Sequence, residues 1–292
     1  MLPLDLVNLA PVMAITRGRS DVQIGLIDGP VLVDHIDLSD ARIRQIGGRA
    51  GAACSMSSSA ACLHGTFVAG ILSASRHSTA PAICPGCTLL VRTIFAETAS
   101  AKETPTATPT ELAAAIIDCI DAGAHVINLS LGLAQLSSNE ETALDEALKH
   151  ALNRGVIVVA AAGNQATLGS SPITRHPWVV SVTSCDLQGR PTNESTIGRS
   201  IGRRGLSAPG DGITSLGSQG QPLILGGSSV AVPFVTGAVA LLCSLFPQLC
   251  AAQIRFAITH STKPRRPSVV PPLLDAAVAF QFLSTTTTAR AA

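Results

Sequence analysis

The sequence has no tyrosine, one tryptophan and seven phenylalanines among 292 residues, so its core must be built mainly from Ala, Val, Leu and Ile. Charged residues are also scarce, at 13%, and the net charge is +1. That balance gives no support to nucleic-acid binding or to an anionic membrane surface as the main role. The first sixteen residues lack the basic start, apolar run and small-residue cleavage site of a secretory signal. Cytoplasmic residence is therefore expected. The apolar run from Val230 to Phe246 is short and interrupted by Pro233 and Gly237, which argues against a membrane span. No internal repeat is visible. The eight cysteines are scattered rather than packed as in a small disulfide scaffold. Cys84-Pro-Gly-Cys87 has redox or metal spacing, but no second pair follows at zinc-site spacing, so it reads as a turn. Cys119 and Cys243 fall in apolar helical patterns and read as small core residues.

What is present is a 46% hydrophobic chain with alternating strand and helix patterns. Leu2–Gly18 reads as short helix or coil. Strands are expected at Val22–Ile27, Leu89–Ile94, His125–Leu131, Val156–Ala162 and Trp178–Ser184. Between them, one helix is expected to open at His64 and run to Ala74. A second, capped by Thr110, runs from Glu111 to Ala122 and stops at Gly123. A third opens on the capping box Ser138–Glu141 and stops at Gly155. Arg42–Ala61 and Glu97–Pro109 read as loops. The alternation predicts an α/β fold with a mostly parallel sheet covered on both faces. The expected organisation is a single domain over residues 1–284 with a frayed tail from Thr285 to Ala292.

Gly226–Gly237 reads Gly-Gly-Ser-Ser-Val-Ala-Val-Pro-Phe-Val-Thr-Gly, a flexible loop that ends at serines and opens into a buried helix. Helix N-termini carry unpaired N–H groups and favour a developing anion. Upstream, Asp28 closes a strand and His64 opens a helix. These three residue types suit acyl transfer. A base must take the serine proton, an imidazole can accept and return it, and a carboxylate fixes the imidazole tautomer.

Three blocks carry a family resemblance. Val22-Gln-Ile-Gly-Leu-Ile-Asp28-Gly, His64-Gly-Thr-Phe-Val-Ala-Gly70 and Gly227-Ser-Ser229-Val-Ala-Val-Pro233 resemble the aspartate, histidine and serine blocks of the subtilisin-like serine peptidases. The last match selects Ser229, not Ser228, as nucleophile. Ala160-Ala-Ala-Gly-Asn164 resembles the stretch whose asparagine donates to the oxyanion. Asn128-Leu-Ser-Leu-Gly132 resembles the strand lining the substrate cleft. The resemblance spans about residues 4 to 280 and implies a three-layer αβα fold. It implies peptide hydrolysis by Ser229, His64 and Asp28, with Asn164 in the oxyanion hole. Ser130, Leu131 and Gly132 would pair with a peptide or protein substrate. Calcium sites are common in the family, but no acidic Asp-x-Asp loop is present, so neither a metal nor another cofactor is indicated.

The sequence departs from the family at Gly29, where Ser or Thr is usual, at Phe67, where a second His is usual, and at Val230, where Met is usual. The Asp28-Gly-Pro30 turn and the 82–88 stretch look more like subtilases of cyanobactin and related peptide-maturation pathways. That narrower likeness implies cleavage of a precursor peptide. A macrocyclase and a catalytically silent peptide binder are the alternatives. The lack of an obvious helical insertion favours plain hydrolysis. Leu4–Arg17 resembles the start of mature subtilases, so no pro-segment is expected.

Overall fold

The structure is a computed structural model and describes residues 1–47, 54–97, 107–131, 138–260 and 268–291. The apolar runs become strands that, apart from the edge strand β2, are buried on both faces, as a covered parallel sheet requires. They are β1 (Gln23–Asp28), β2 (Arg42–Gln45), β3 (Thr88–Thr93), β4 (Val126–Leu129), β5 (Ile157–Ala161), β6 (Val180–Cys185) and β7 (Leu206–Pro209). Their spatial order is β2-β3-β1-β4-β5-β6-β7, and every neighbouring pair is parallel. A separate antiparallel hairpin joins β8 (Ile213–Ser215) to β9 (Leu223–Leu225).

The helices are α1 (Pro3–Leu6), α2 (Leu9–Ile15), α3 (Ala60–Ser73), α4 (Pro109–Asp121), α5 (Ser138–Arg154), α6 (Pro172–Arg175), α7 (Arg199–Arg204), α8 (Ser228–Leu245), α9 (Ala251–His260) and α10 (Ala276–Ala291). Helices α3 and α8 pack together on one face of the sheet, α8 lying across β4 to β7. Helices α4 and α5 pack together on the other face. Among the described residues, α8 is long and apolar enough to cross a membrane, but 83% of it is buried inside the protein, where it serves as the central core helix.

Several expectations change. Arg42–Gln45 is not loop but the edge strand β2, pairing with Thr88–Val91. Its side chains are mostly exposed, so it carries no apolar run. This is how edge strands avoid further pairing. Helix α3 starts at Ala60, four residues before His64, because Ser59 Oγ caps it by accepting the Cys62 N–H at 3.1 Å. Likewise Thr108, not Thr110, caps α4 through the Glu111 N–H. The Ser138 side chain, with its expected capping box, lies outside the described residues. The stretch expected to fray from Thr285 instead continues α10, where Thr285 and Thr286 hydroxyls donate to carbonyls of the preceding turn. Cys54 and Cys62 form a disulfide that the scattered cysteine pattern did not suggest. Cys84 and Cys87 are buried thiols in a turn closed by the Cys87 N–H on the Cys84 carbonyl, as expected.

Candidate active site

In this sheet the winding reverses at β1, whose neighbours are β3 on one side and β4 on the other. Ligands in open α/β sheets bind at the carboxyl ends of strands beside such a reversal. Asp28 is the last residue of β1, Ser130 follows β4, and Asn164 follows β5. All three therefore stand along the carboxyl edge of the parallel sheet.

Asp28 is fully buried, and its Oδ1 accepts two hydrogen bonds, from His64 Nδ1 at 2.7 Å and from the Gly29 N–H at 2.7 Å. Nδ1 must then carry its proton, which leaves Nε2 as the acceptor facing Ser229 Oγ at 3.1 Å. Burial, the largest influence on His64, pulls the imidazole pKa down. The charge of Asp28 and its hydrogen bond push harder the other way, and the result lies above the ordinary 6.5. The His64 side chain remains one quarter exposed, open to the cleft. Asp28 Oδ2 is buried with no hydrogen-bond partner among the described residues.

The departure at Gly29 has a steric cause. A Cβ there would collide with the Ala61 carbonyl in the first turn of α3. Only glycine lets that turn close onto the end of β1 and bring His64 to Asp28.

Ser229 is the second residue of α8, where N–H groups have no intrahelical acceptor. Gly227, at φ 108°, turns the chain into the helix, and a Cβ on it would stand 2.6 Å from Asn164 Nδ2. Pro233 lies four residues after Ser229 and has no N–H to give the Ser229 carbonyl. Ser130 Oγ supplies the missing donor at 2.8 Å. Ser130 accepts in turn from Asn128 Nδ2 at 2.8 Å, and Asn128 Oδ1 accepts from Thr236 on α8 at 3.0 Å. This buried chain ties β4 to the backbone of Ser229.

Asn164 is exposed at the cleft, and its Oδ1 accepts from both the N–H and the Oγ of Ser228, each at 2.8 Å. Ser228 Oγ accepts from the Gly163 N–H at 3.2 Å. Two donors on Oδ1 settle the amide orientation and leave Nδ2 beside Gly227, the group able to meet an oxyanion.

The structure thus brings Asp28, His64, Ser229 and Asn164 together. Ser130 and Leu131 lie beside them and are buried, 4% and 6% exposed, with the Ser130 hydroxyl spent on Ser229 rather than facing a ligand. Gly132 lies outside the described residues. Sequence reasoning missed the structural tasks of Ser228 and Ser130. Pro233, four residues after Ser229, was the available signal, since it guarantees a carbonyl in need of an outside donor. Chemically, the arrangement suits attack by a hydroxyl on a carbonyl, with a base behind the hydroxyl and donors ahead of it.

The chain matches the subtilase family (peptidase S8) over residues 19–282. It is 29% identical to Subtilisin DY of Bacillus licheniformis over 241 residues, covering 81% of each chain. It is 31% identical to the thermostable alkaline protease of Halalkalibacterium halodurans over 199 residues, 68% of this chain and 52% of that one, so it spans about half that relative's length. Among solved structures, the protease domain of PatA superposes with a TM-score of 0.83 at 27% identity, over 92% of this chain and 97% of that one. Prenylagaramide maturation protease PagA superposes with a TM-score of 0.82 at 26% identity, over 94% and 98%. The PatG macrocyclase in complex with peptide has a TM-score of 0.82 at 21% identity, over 94% and 95%, a likeness of fold alone.

Proposed function

The chain belongs to the subtilase family of serine endopeptidases, and from that premise we propose how its residues divide the work and what it cuts. Ser229 attacks the scissile carbonyl while His64 Nε2 takes its proton, and the same imidazole later protonates the leaving amine. Asp28 holds the productive tautomer and stabilises the imidazolium. Asn164 Nδ2 and the Ser229 N–H receive the oxyanion. Water then hydrolyses the acyl-enzyme. The backbone at Ser130–Gly132 takes up substrate as an added strand. Protein groups alone carry these steps. The observation that supports the reading is the unbroken line from Asp28 Oδ1 through His64 to Ser229 Oγ, at 2.7 and 3.1 Å.

The proposed substrate is a precursor peptide, cut to release its leader in the cytoplasm. The likeness to PatA and to the maturation protease PagA, both above 25% identity and matched nearly end to end, supports this choice over general digestion. Labelling by a fluorophosphonate probe at Ser229 tests the chemistry, and absence of the adduct on the folded chain would refute it. Mass spectrometry of a linear precursor-like peptide tests the outcome. Two linear fragments whose masses sum to the peptide plus one water are expected. A ring one water lighter than its linear counterpart would point to transpeptidation, and brisk casein digestion would refute narrow substrate choice.

A further inference from the structure

Five buried polar side-chain atoms have no hydrogen-bond partner among the described residues, and two of the five belong to residues that pair with each other in the sheet. One is Asp28 Oδ2 and the other is Thr93 Oγ1. Asp28 closes β1, Thr93 closes β3, and the parallel register sets the two side by side. Paired residues on neighbouring strands send their side chains to the same face, across a strand spacing of about 4.8 Å. Both residues are buried, at 0% and 2% exposure, so bulk water serves neither. A carboxylate oxygen accepts and a threonine hydroxyl has a proton to donate.

The other donors near Asp28 are already spent. His64 Nδ1–H and the Gly29 N–H both go to Oδ1, and Gly29 has no side chain to offer. Arg92, one residue before Thr93, leaves the opposite face of the sheet and donates to Asp118 on α4 at 2.8 Å. Its guanidinium also donates to the Thr93 carbonyl at 2.7 Å, which fixes the end of β3. Among the described residues, the ion-pair partner of Asp28 is His64 alone.

Resting on the triad reading above, we propose that Thr93 is a second positioning residue for Asp28, its hydroxyl donating to Oδ2 directly after rotation about Cα–Cβ or across one bridging water. No bond is broken and the proton stays on the hydroxyl. With a donor on each oxygen, the carboxylate is held from turning about Cβ–Cγ and keeps its plane toward His64. The hydroxyl proton also sets partial positive charge beside Asp28, which tempers the pull of the carboxylate on the imidazolium. Left unpaired, the two buried groups would each cost stability instead.

The test compares wild type, Thr93→Val and Thr93→Ser in the full chain. Valine keeps the shape and the β-branched preference for a strand, so the variant should fold. Serine keeps the hydroxyl. The rate at which a fluorophosphonate probe labels Ser229 is followed against pH. In Thr93→Val the midpoint of the acid limb should move to higher pH, because the imidazolium is then held more tightly. The plateau rate should fall about three- to tenfold, the worth of one hydrogen bond. The denaturant midpoint should fall too, and Thr93→Ser should restore the pH midpoint. If the hydroxyl has no partner, valine removes a buried orphan: stability holds or rises and the pH profile stays put, which overturns the proposal. Normal wild-type labelling with an unmoved midpoint in Thr93→Val sinks the role of Thr93 alone. Absence of wild-type labelling at every pH sinks the triad reading and the role of Thr93 with it.

Discussion

Helices α3 and α8 both present a side chain to the same cleft, yet they do so by different means. In α8 the proposed nucleophile, Ser229, stands at the helix terminus, where the N–H groups have no intrahelical acceptor and are placed to meet a developing charge, and the gap left by Pro233 is filled by Ser130. In α3 the imidazole sits more than a turn inside, where the helix backbone is saturated. Here the helix is a rigid arm. It depends on what holds its start: the Ser59 cap, the Cys54–Cys62 link and the close approach to Gly29. Damage at α8 should therefore appear as lost chemistry, and damage around the start of α3 as lost stability or misplacement.

The sharpest way to break this contrast is Ser229→Ala. In subtilisin, removal of the nucleophile costs about a millionfold in kcat, and a loss of that order is expected here with the melting temperature unchanged. Wild-type turnover in that variant would end the α8 account. Next comes Asn164→Ala. Loss of one oxyanion donor costs about 10² to 10³ in kcat, a figure again taken from subtilisin. KM should stay near its original value, and a rise in KM with normal kcat would mean that Asn164 binds the ground state instead.

On the α3 side, Gly29→Ser should lower stability by about 1–3 kcal/mol through overpacking against Ala61, read as a lower denaturant midpoint. Retained stability would show that the first turn of α3 has room to move. A smaller effect is expected for Ser130→Ala, which leaves the Ser229 carbonyl without a donor. A cost of about 1 kcal/mol, partly expressed in the transition state, should lower kcat severalfold.

The finest probe is pH. His64 must be neutral to act as base, and its pKa is raised above 6.5, so activity should fall as pH drops through that raised value. Proton NMR of His64 in Ser229→Ala protein should find the same titration. Asp28→Asn should carry it below 6.5, because burial then acts unopposed. The pair's contribution to stability runs the opposite way with pH: it is fully present below about 6.5 and lost as pH rises through the folded value. A His64 titration at or below 6.5 with Asp28 intact would contradict this.

Much of the sheet was legible because its strands are near-continuous apolar runs, as at Val180–Cys185 and Ile157–Ala161. The polar edge strand β2 was not, since half-exposed side chains leave no period that differs from loop. The start of α3 was misplaced for a related reason. Ser57, Ser58 and Ser59 are alike in residue type, and the structure assigns the cap to the last, whose Oγ takes the Cys62 N–H. The hairpin β8–β9 and the helical continuation past Thr285 are short or low in complexity, and neither carried a periodic signal.

By itself, the order of residues determined the residue types that acyl transfer needs, their places at strand and helix ends, and a core of small aliphatics dense enough for a covered parallel sheet. Local propensity and hydrophobic period act over a few residues, so a linear reading reaches that far. Only the tertiary structure decided which oxygen of Asp28 holds His64, which way Asn164 turns, that Ser130 serves the carbonyl of Ser229, and that Cys54 finds Cys62 beside Glu97. Most of these contacts join groups far apart in the chain, and even the near pair, Cys54 and Cys62, flanks the Ser55–Ser59 stretch that Glu97 holds from beyond β3. They are settled by how close two backbones can come and by which buried polar group would otherwise lack a partner.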